Sequence, residues 1–208
     1  MKSICVIGSG ISGSTVANFL SKKYKVDVYE KAKGIGGRSS HRRYLNKLGF
    51  DHGLQYISPK TSKFKKFCSG LQKKRVLKKW QGPHKFDHSK VLENKKHAKL
   101  IGAKGNNAIS KYLLKNINCI FGYELSKIER IRKNWKLSFL NGDVKYYEML
   151  IISIPFAQSK KLLKKFLPNF FKNKNVKMEA NITVMTVTNK IKNNFSSFLF
   201  NDEVIAVS

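Results

Sequence analysis

The sequence predicts an α/β fold in which helices flank a parallel sheet and a mixed β-sheet is inserted between its elements. Three observations predict it. Residues 3–30 read as an apolar run (Ile4 to Ile7), a glycine turn, a helix-like segment (Ser14 to Lys22) and a second strand (Lys25 to Tyr29), which together make one βαβ unit. Met149 to Ile154 is a continuous apolar run ended by Pro155, as expected for a central parallel strand buried on both faces. Between them, Glu124 to Leu140 alternates apolar and polar residues, which suggests a hairpin or three-stranded meander with Asn141-Gly142-Asp143 as a turn.

The remaining elements follow in chain order. Residues 31–58 form an extended, glycine-bearing excursion. Lys60 to Leu71 places Phe64, Phe67 and Leu71 at helical spacing, with basic residues on the other face. Lys73 to Leu100 is the most polar region and holds Trp80, Gly82-Pro83 and three histidines, His84, His88 and His97. His84 and His88 have the i, i+4 spacing of a metal-binding helix, but Gly82-Pro83 just before them points to a hairpin or loop, and no metal is expected. Asn106 to Leu114 reads as a helix with Asn106 or Asn107 as its N-cap. Ile117 to Phe121 reads as a short buried strand and Gln158 to Leu167 as a helix. Ile182 to Thr188 and Phe195 to Val207 read as strands of the inserted sheet.

The chemistry concentrates in the first βαβ unit. Gly8, Gly10 and Gly13 form a G-x-G-x-x-G between strand and helix. The first glycine allows the tight turn, the second lets a pyrophosphate approach the backbone, and the third lets the helix pack near the sheet. The helix beginning near Ile11 aims its unpaired N–H groups and positive dipole end at the phosphates. Glu30 closes the second strand at the position of a carboxylate that accepts from a ribose hydroxyl. Gly36-Gly37-Arg38 adds a second turn whose backbone can approach the same pyrophosphate, with Arg38 as a planar charged fork.

Glu30, Gly36-Gly37-Arg38 and their spacing resemble the signature of flavin amine oxidases and their relatives. Gly49-Phe-Asp-His-Gly-Leu-Gln-Tyr-Ile-Ser58 is similar to the D-x-G-A-Q-Y segment of renalase and the bacterial renalase-like oxidoreductases. Ile101 to Leu114, Trp135 to Ser138 and Met149 to Pro155 extend the resemblance over nearly the whole chain. It implies a Rossmann-like FAD-binding domain at residues 1–58 and 101–167, and an incomplete substrate domain at 59–100 and 168–208. It also implies FAD as cofactor, held by Gly8, Ser9, Gly10, Ile11, Ser12, Gly13, Glu30, Lys31, Gly37 and Arg38. Gln55 and Tyr56 would stand near the flavin, the backbone near Leu125 on the adenine side, and Ser153 near a phosphate.

The implied activity is that of an FAD-dependent oxidoreductase in which flavin N5 takes a hydride from an amine or dihydronicotinamide-type substrate, with O2 as reoxidant. No catalytic base stands out. Two departures qualify the resemblance. Leu54 stands where the family has Ala, and the chain ends at Ser208, before a strand and helix that family members place over the isoalloxazine. They raise an alternative expectation: a truncated, inactive nucleotide-binding remnant or one half of a split flavoenzyme, partnered by a second copy or a complementing chain.

The formal charge of +30 raises nucleic-acid binding as a third reading. Six of the 42 basic residues are Arg and the rest are Lys spread along the chain, a pattern closer to a solvated surface than to a base-reading site. No specific nucleic-acid partner is expected. Cys5, Cys68 and Cys119 lie far apart, with no C-x-x-C, so neither a disulfide framework nor a zinc site is expected. No signal peptide is read at the N-terminus, and no apolar run reaches the length of a membrane span, so a cytoplasmic protein without a membrane partner is expected.

Overall fold

The computed structural model describes residues 2–44, 48–81, 84–86, 90–91, 99–172, 174, 176–187, 197–199 and 206–207. In chain order the elements are β1 (Ser3–Ile7), α1 (Ile11–Leu20), β2 (Lys25–Glu30), β3 (Arg42–Tyr44), β4 (Leu48–Phe50), α2 (Ser62–Lys73), β5 (Leu77–Lys79), β6 (His84–Phe86), β7 (Lys90–Val91) and β8 (Leu100–Gly102). There follow α3 (Ala108–Leu113), β9 (Asn118–Phe121), β10 (Leu125–Ile131), β11 (Asn134–Phe139), β12 (Val144–Tyr147), β13 (Met149–Ile152), α4 (Phe156–Leu163), α5 (Pro168–Lys172), β14 (Ser197–Leu199) and β15 (Ala206–Val207). The chain forms two compact units, Met1–Ser40 with Ile109–Ile182, and His41–Ala108 with Thr183–Ser208.

The first unit is a Rossmann-like α/β layer. Its four-stranded sheet has the order β13-β1-β2-β9, with every pairing parallel. Strand alternation divides its side chains between two apolar clusters. Ile4, Val6, Val26 and Val28 pack with Ala17 of α1 and with Leu114. Cys5, Ile7 and Tyr29 face the other way, onto Leu125, Ile128, Leu137, Phe139 and Tyr147 of the antiparallel meander β10-β11-β12. A polar chain crosses this second face: Tyr29 and Tyr147 share a 2.8 Å hydroxyl contact, Tyr147 donates to Asp27 at 2.8 Å, and Asn118 donates to the other Asp27 oxygen at 2.7 Å.

The second unit holds α2, capped by the Thr61 hydroxyl, which accepts from Phe64 N at 3.3 Å. It also contains the hairpin β3–β4, the pair β5–β8, and a mixed sheet of order β15-β14-β6-β7.

Several expectations are corrected. β13 is parallel to β1 but forms an edge of the four-stranded sheet, with Met149 40% exposed, so it is not a central strand buried on both faces. β9 is the other edge and is half-buried rather than buried. Ile182–Val187 carries no strand: alternation suits a half-buried surface, but a strand forms only where a ladder partner is in place. Asn106 does not cap α3; its side chain binds the backbone of Gly102, Leu54 and Gln55 instead. Phe195 to Val207 contributes two short strands, β14 and β15. Gly82-Pro83, His88, His97 and Thr188 lie outside the described residues.

Candidate functional site

The sheet order places a topological switch point between β1 and β13. From β1 the chain moves outward to β2 and β9, then returns to the far side of β1 as β13. In open α/β sheets the carboxyl ends of strands at such a point form the ligand crevice. Gly8 to Gly10 follow β1 there, and Ser153 follows β13.

The first turn has the geometry its glycines allow. Gly8 has φ +100°, a conformation that side chains rarely adopt. A Cβ at Gly13 would lie 2.0 Å from Gly8 O and 2.4 Å from Ser153 Oγ, so only glycine lets α1 approach β1 this closely. Ser153 sits beneath the turn. Its N–H donates to Ile7 O at 2.9 Å, and its hydroxyl lies 2.8 Å from Ile7 O and 3.1 Å from Gly8 O. Its side chain therefore supports the turn from below.

A Cβ at Gly10 would meet no protein atom nearer than 3.9 Å, which leaves the outer side of the turn open. The first turn of α1 carries no acidic residue, and Ile11 and Ser12 are exposed. The leading N–H groups of the helix therefore stand at an open positive dipole end.

A second turn lies directly beside the first. Gly36 N donates to Ser9 O at 3.2 Å, and Gly10 and Gly36 form a parallel bridge. Gly37, at φ +55°, comes so near that a Cβ there would lie 3.2 Å from Gly10 Cα. Ser39 locks this turn, its N–H and hydroxyl both donating to Gly36 O, at 3.0 and 2.8 Å. Arg38 projects from it, exposed and with no acidic partner among the described residues. Lys31 is exposed on the neighbouring bend.

Glu30 ends β2 at the same edge of the sheet and is buried. Its Oε2 accepts from Ser9 N at 2.9 Å and from Ser9 Oγ at 2.8 Å, and its Oε1 accepts from Ala32 N at 3.0 Å. The loop after β9 comes alongside, Tyr123 N donating to Glu30 O at 3.0 Å and Gly122 N to Ala32 O at 3.4 Å. Leu125 begins β10 just beyond this loop; its side chain is in the core, and it pairs with Phe139.

The first unit thus gathers Gly8 to Gly13, Glu30, Lys31, Gly37, Arg38 and Ser153 around one sheet edge. The chemistry fits a dinucleotide: one buried carboxylate, two glycine turns open to an anion, a helix N-terminus and an exposed guanidinium. Residues 6–71 match the NAD(P)-binding Rossmann-like domain family. The structure is also similar to the crystal structure of the tetracycline destructase Tet(51), with a TM-score of 0.54 and 16% sequence identity over 78% of this chain. The chain spans 41% of that structure's length. A search of curated protein sequences finds no match.

Gln55 and Tyr56 lie in the second unit. The Tyr56 ring is 5.6 Å from that of Trp80, and Lys99 Nζ stands 4.6 Å over it. Burial lowers the pKa of Lys99 below the ordinary lysine value. The backbone of Gln55 is fixed by Asn106, whose amide donates to Leu54 O at 2.6 Å and Gln55 O at 3.0 Å while its carbonyl accepts from Gly102 N at 2.8 Å.

Sequence reasoning missed what anchors this node. Asp51 Oδ1 accepts from Asn106 N at 2.8 Å and meets His41 Nδ1 at 2.9 Å. The His41 ring lies between Gly49 and Gly105, since a Cβ at either would come within 2.5 Å of it. The available signal was two glycines and a histidine–aspartate pair across a short hairpin, which the sequence alone does not join.

Proposed function

We propose that the chain is an FAD-dependent oxidoreductase of the renalase-like, amine-oxidase-related type, acting on amines or dihydronicotinamide-type substrates. One observation carries the reading: a second glycine turn, Gly36-Gly37-Arg38, held against the first through Gly36 N and Ser9 O, 3.2 Å apart. A single turn at the switch point serves any dinucleotide. A second one with an exposed guanidinium supplies a second set of contacts to the pyrophosphate.

In this reading the amides opening α1 and the Gly36-Gly37 backbone hold the diphosphate, Arg38 pairs with its charge, and Glu30 accepts from the adenosine ribose. Gly10 keeps the backbone accessible. Ser153 and Gly13 hold the turn in shape. FAD, when bound, supplies a two-electron acceptor for a substrate hydride. Gln55 and Tyr56, the candidates in the second unit, are tested through turnover and not through cofactor retention.

The test is the visible absorbance of the purified protein. Flavin absorbance that survives desalting, and that is bleached by an amine or dihydronicotinamide and restored by O2, supports the reading. Protein that stays colourless after incubation with FAD and desalting removes it.

A second reading, nucleotide binding without turnover or a site completed by a complementing chain, is favoured by Ile182 and Val184, which are 91% and 81% exposed. It keeps FAD binding and loses reduction by substrate.

A further inference from the structure

Glu30 offers its two oxygens unequally. Oε2 accepts twice, from the N–H and the hydroxyl of Ser9, while Oε1 accepts once, from Ala32 N. An ionised carboxylate has about four lone-pair sites, two on each oxygen. Among the described residues three are filled, and the one left is on Oε1.

The Ser9 bonds are not surface contacts that a ligand brushes aside. Ser9 is fully buried and Glu30 is 8% exposed, so a displaced Ser9 hydroxyl would lose a charge-assisted acceptor with no water to replace it. Among the described residues, that hydroxyl donates to Glu30 alone.

We propose that Ser9 is a specificity-determining residue of the adenosine site: by filling the second lone pair of Oε2, it sets Glu30 to accept one ribose hydroxyl instead of the vicinal pair. The proposal rests on the reading of Glu30 as the ribose acceptor. The ligand's second hydroxyl then turns to solvent or to another group and contributes little to affinity. Removing the Ser9 hydroxyl frees a second site, on Oε2, and converts Glu30 into an acceptor for both.

The test titrates the 208-residue protein and its Ser9→Ala variant with ADP, 2′-deoxy-ADP and 3′-deoxy-ADP by calorimetry. For the wild type, one deoxy analogue is expected to bind within about twofold of ADP and the other about tenfold or more weaker, the scale of a single hydrogen bond to a charged group. For Ser9→Ala, both analogues are expected to bind about tenfold or more weaker than ADP. If both analogues, or neither, weaken in the wild type, the one-hydroxyl assignment is overturned; the same follows if the variant still tolerates the same missing hydroxyl. Failure of ADP itself to bind the wild type overturns the nucleotide site and this proposal together, an outcome distinct from ADP binding with the wrong analogue pattern. The wild-type arm decides even if the variant folds poorly.

Discussion

Replacing Gly13 by alanine tests the close approach of α1 to β1. The added methyl would sit 2.0 Å from Gly8 O, 2.4 Å from Ser153 Oγ and 3.1 Å from Gly8 C. Ser153 Oγ can rotate away, but Gly8 O belongs to the backbone of the turn, and the two segments must separate by about an ångström to restore contact distance. Overpacking of this kind costs about 1–3 kcal/mol, and more where backbone must move. Alanine regains about 1 kcal/mol of helix propensity. The net expectation is a loss of about 2 kcal/mol or more. Gly70, within α2, is the matched control. Its Cβ would meet nothing within 4 Å, so Gly70→Ala is expected to stabilise by about 0.5–1 kcal/mol. Urea unfolding followed by tryptophan fluorescence reads both, Trp135 lying in the first unit and Trp80 in the second. A Gly13→Ala variant as stable as the wild type would refute the helix–strand contact, whatever the control does.

Other outcomes follow from the same geometry. Glu30→Ala and Arg38→Ala are each expected to weaken FAD binding by about 1–3 kcal/mol, roughly 5- to 150-fold, in a fluorescence titration; unchanged affinity in both would remove their assignment. Tyr147→Phe leaves the buried Tyr29 hydroxyl and one Asp27 oxygen without their shared partner, an expected cost of about 1–3 kcal/mol in urea unfolding. Adding Tyr29→Phe to that variant is expected to recover part of the loss; simple additivity would show that the chain is not coupled. Burial raises the pKa of Cys5, Tyr29 and Tyr147 above their ordinary values of 9.0 for the thiol and 10.0 for the phenols. The folded state then keeps protons that the unfolded chain releases, so this stability is full below the ordinary values and declines above them. The urea midpoint is expected to fall from roughly pH 9 upward, and a flat or rising midpoint to about pH 11 would contradict these burials.

The amino-terminal half of the site was legible because its signals are local. An apolar run, three glycines, a helix and an acid lie within thirty residues, and each glycine has one steric reason to be there. The second turn was legible for the same reason, and the structure adds the contact that joins the two, Gly36 N to Ser9 O. The Ser9–Glu30 bond was not legible: the second position of the motif accepts many residue types, and only the fold brings the Ser9 hydroxyl to a carboxylate 21 residues away. The node of His41, Asp51 and Asn106 depends on contacts up to 55 residues apart, beyond any periodic signal. The misreading of Ile182 to Val187 has the opposite cause. Its alternation is a true local preference, but strand formation depends on a partner that a local pattern does not contain.

The fold gives these residues a common reason for their positions. Parallel strands end at one edge, a reversal of strand order opens a crevice there, and the residues just past β1, β2 and β13 crowd around it. Gly8, Glu30 and Ser153 each stand at one of those ends. With a charge of +30, the protein is also expected to adhere to polyanions in a salt-sensitive way, so nucleotide titrations belong at physiological ionic strength, where such adhesion is weak.

The most direct measurement is a titration of isotope-labelled protein with FAD, followed through its backbone amide resonances. Saturable shifts centred on residues 8–13, 30–32 and 36–39 are the expected result. Absence of saturation, or shifts that leave both glycine turns untouched, would contradict a coenzyme held between them.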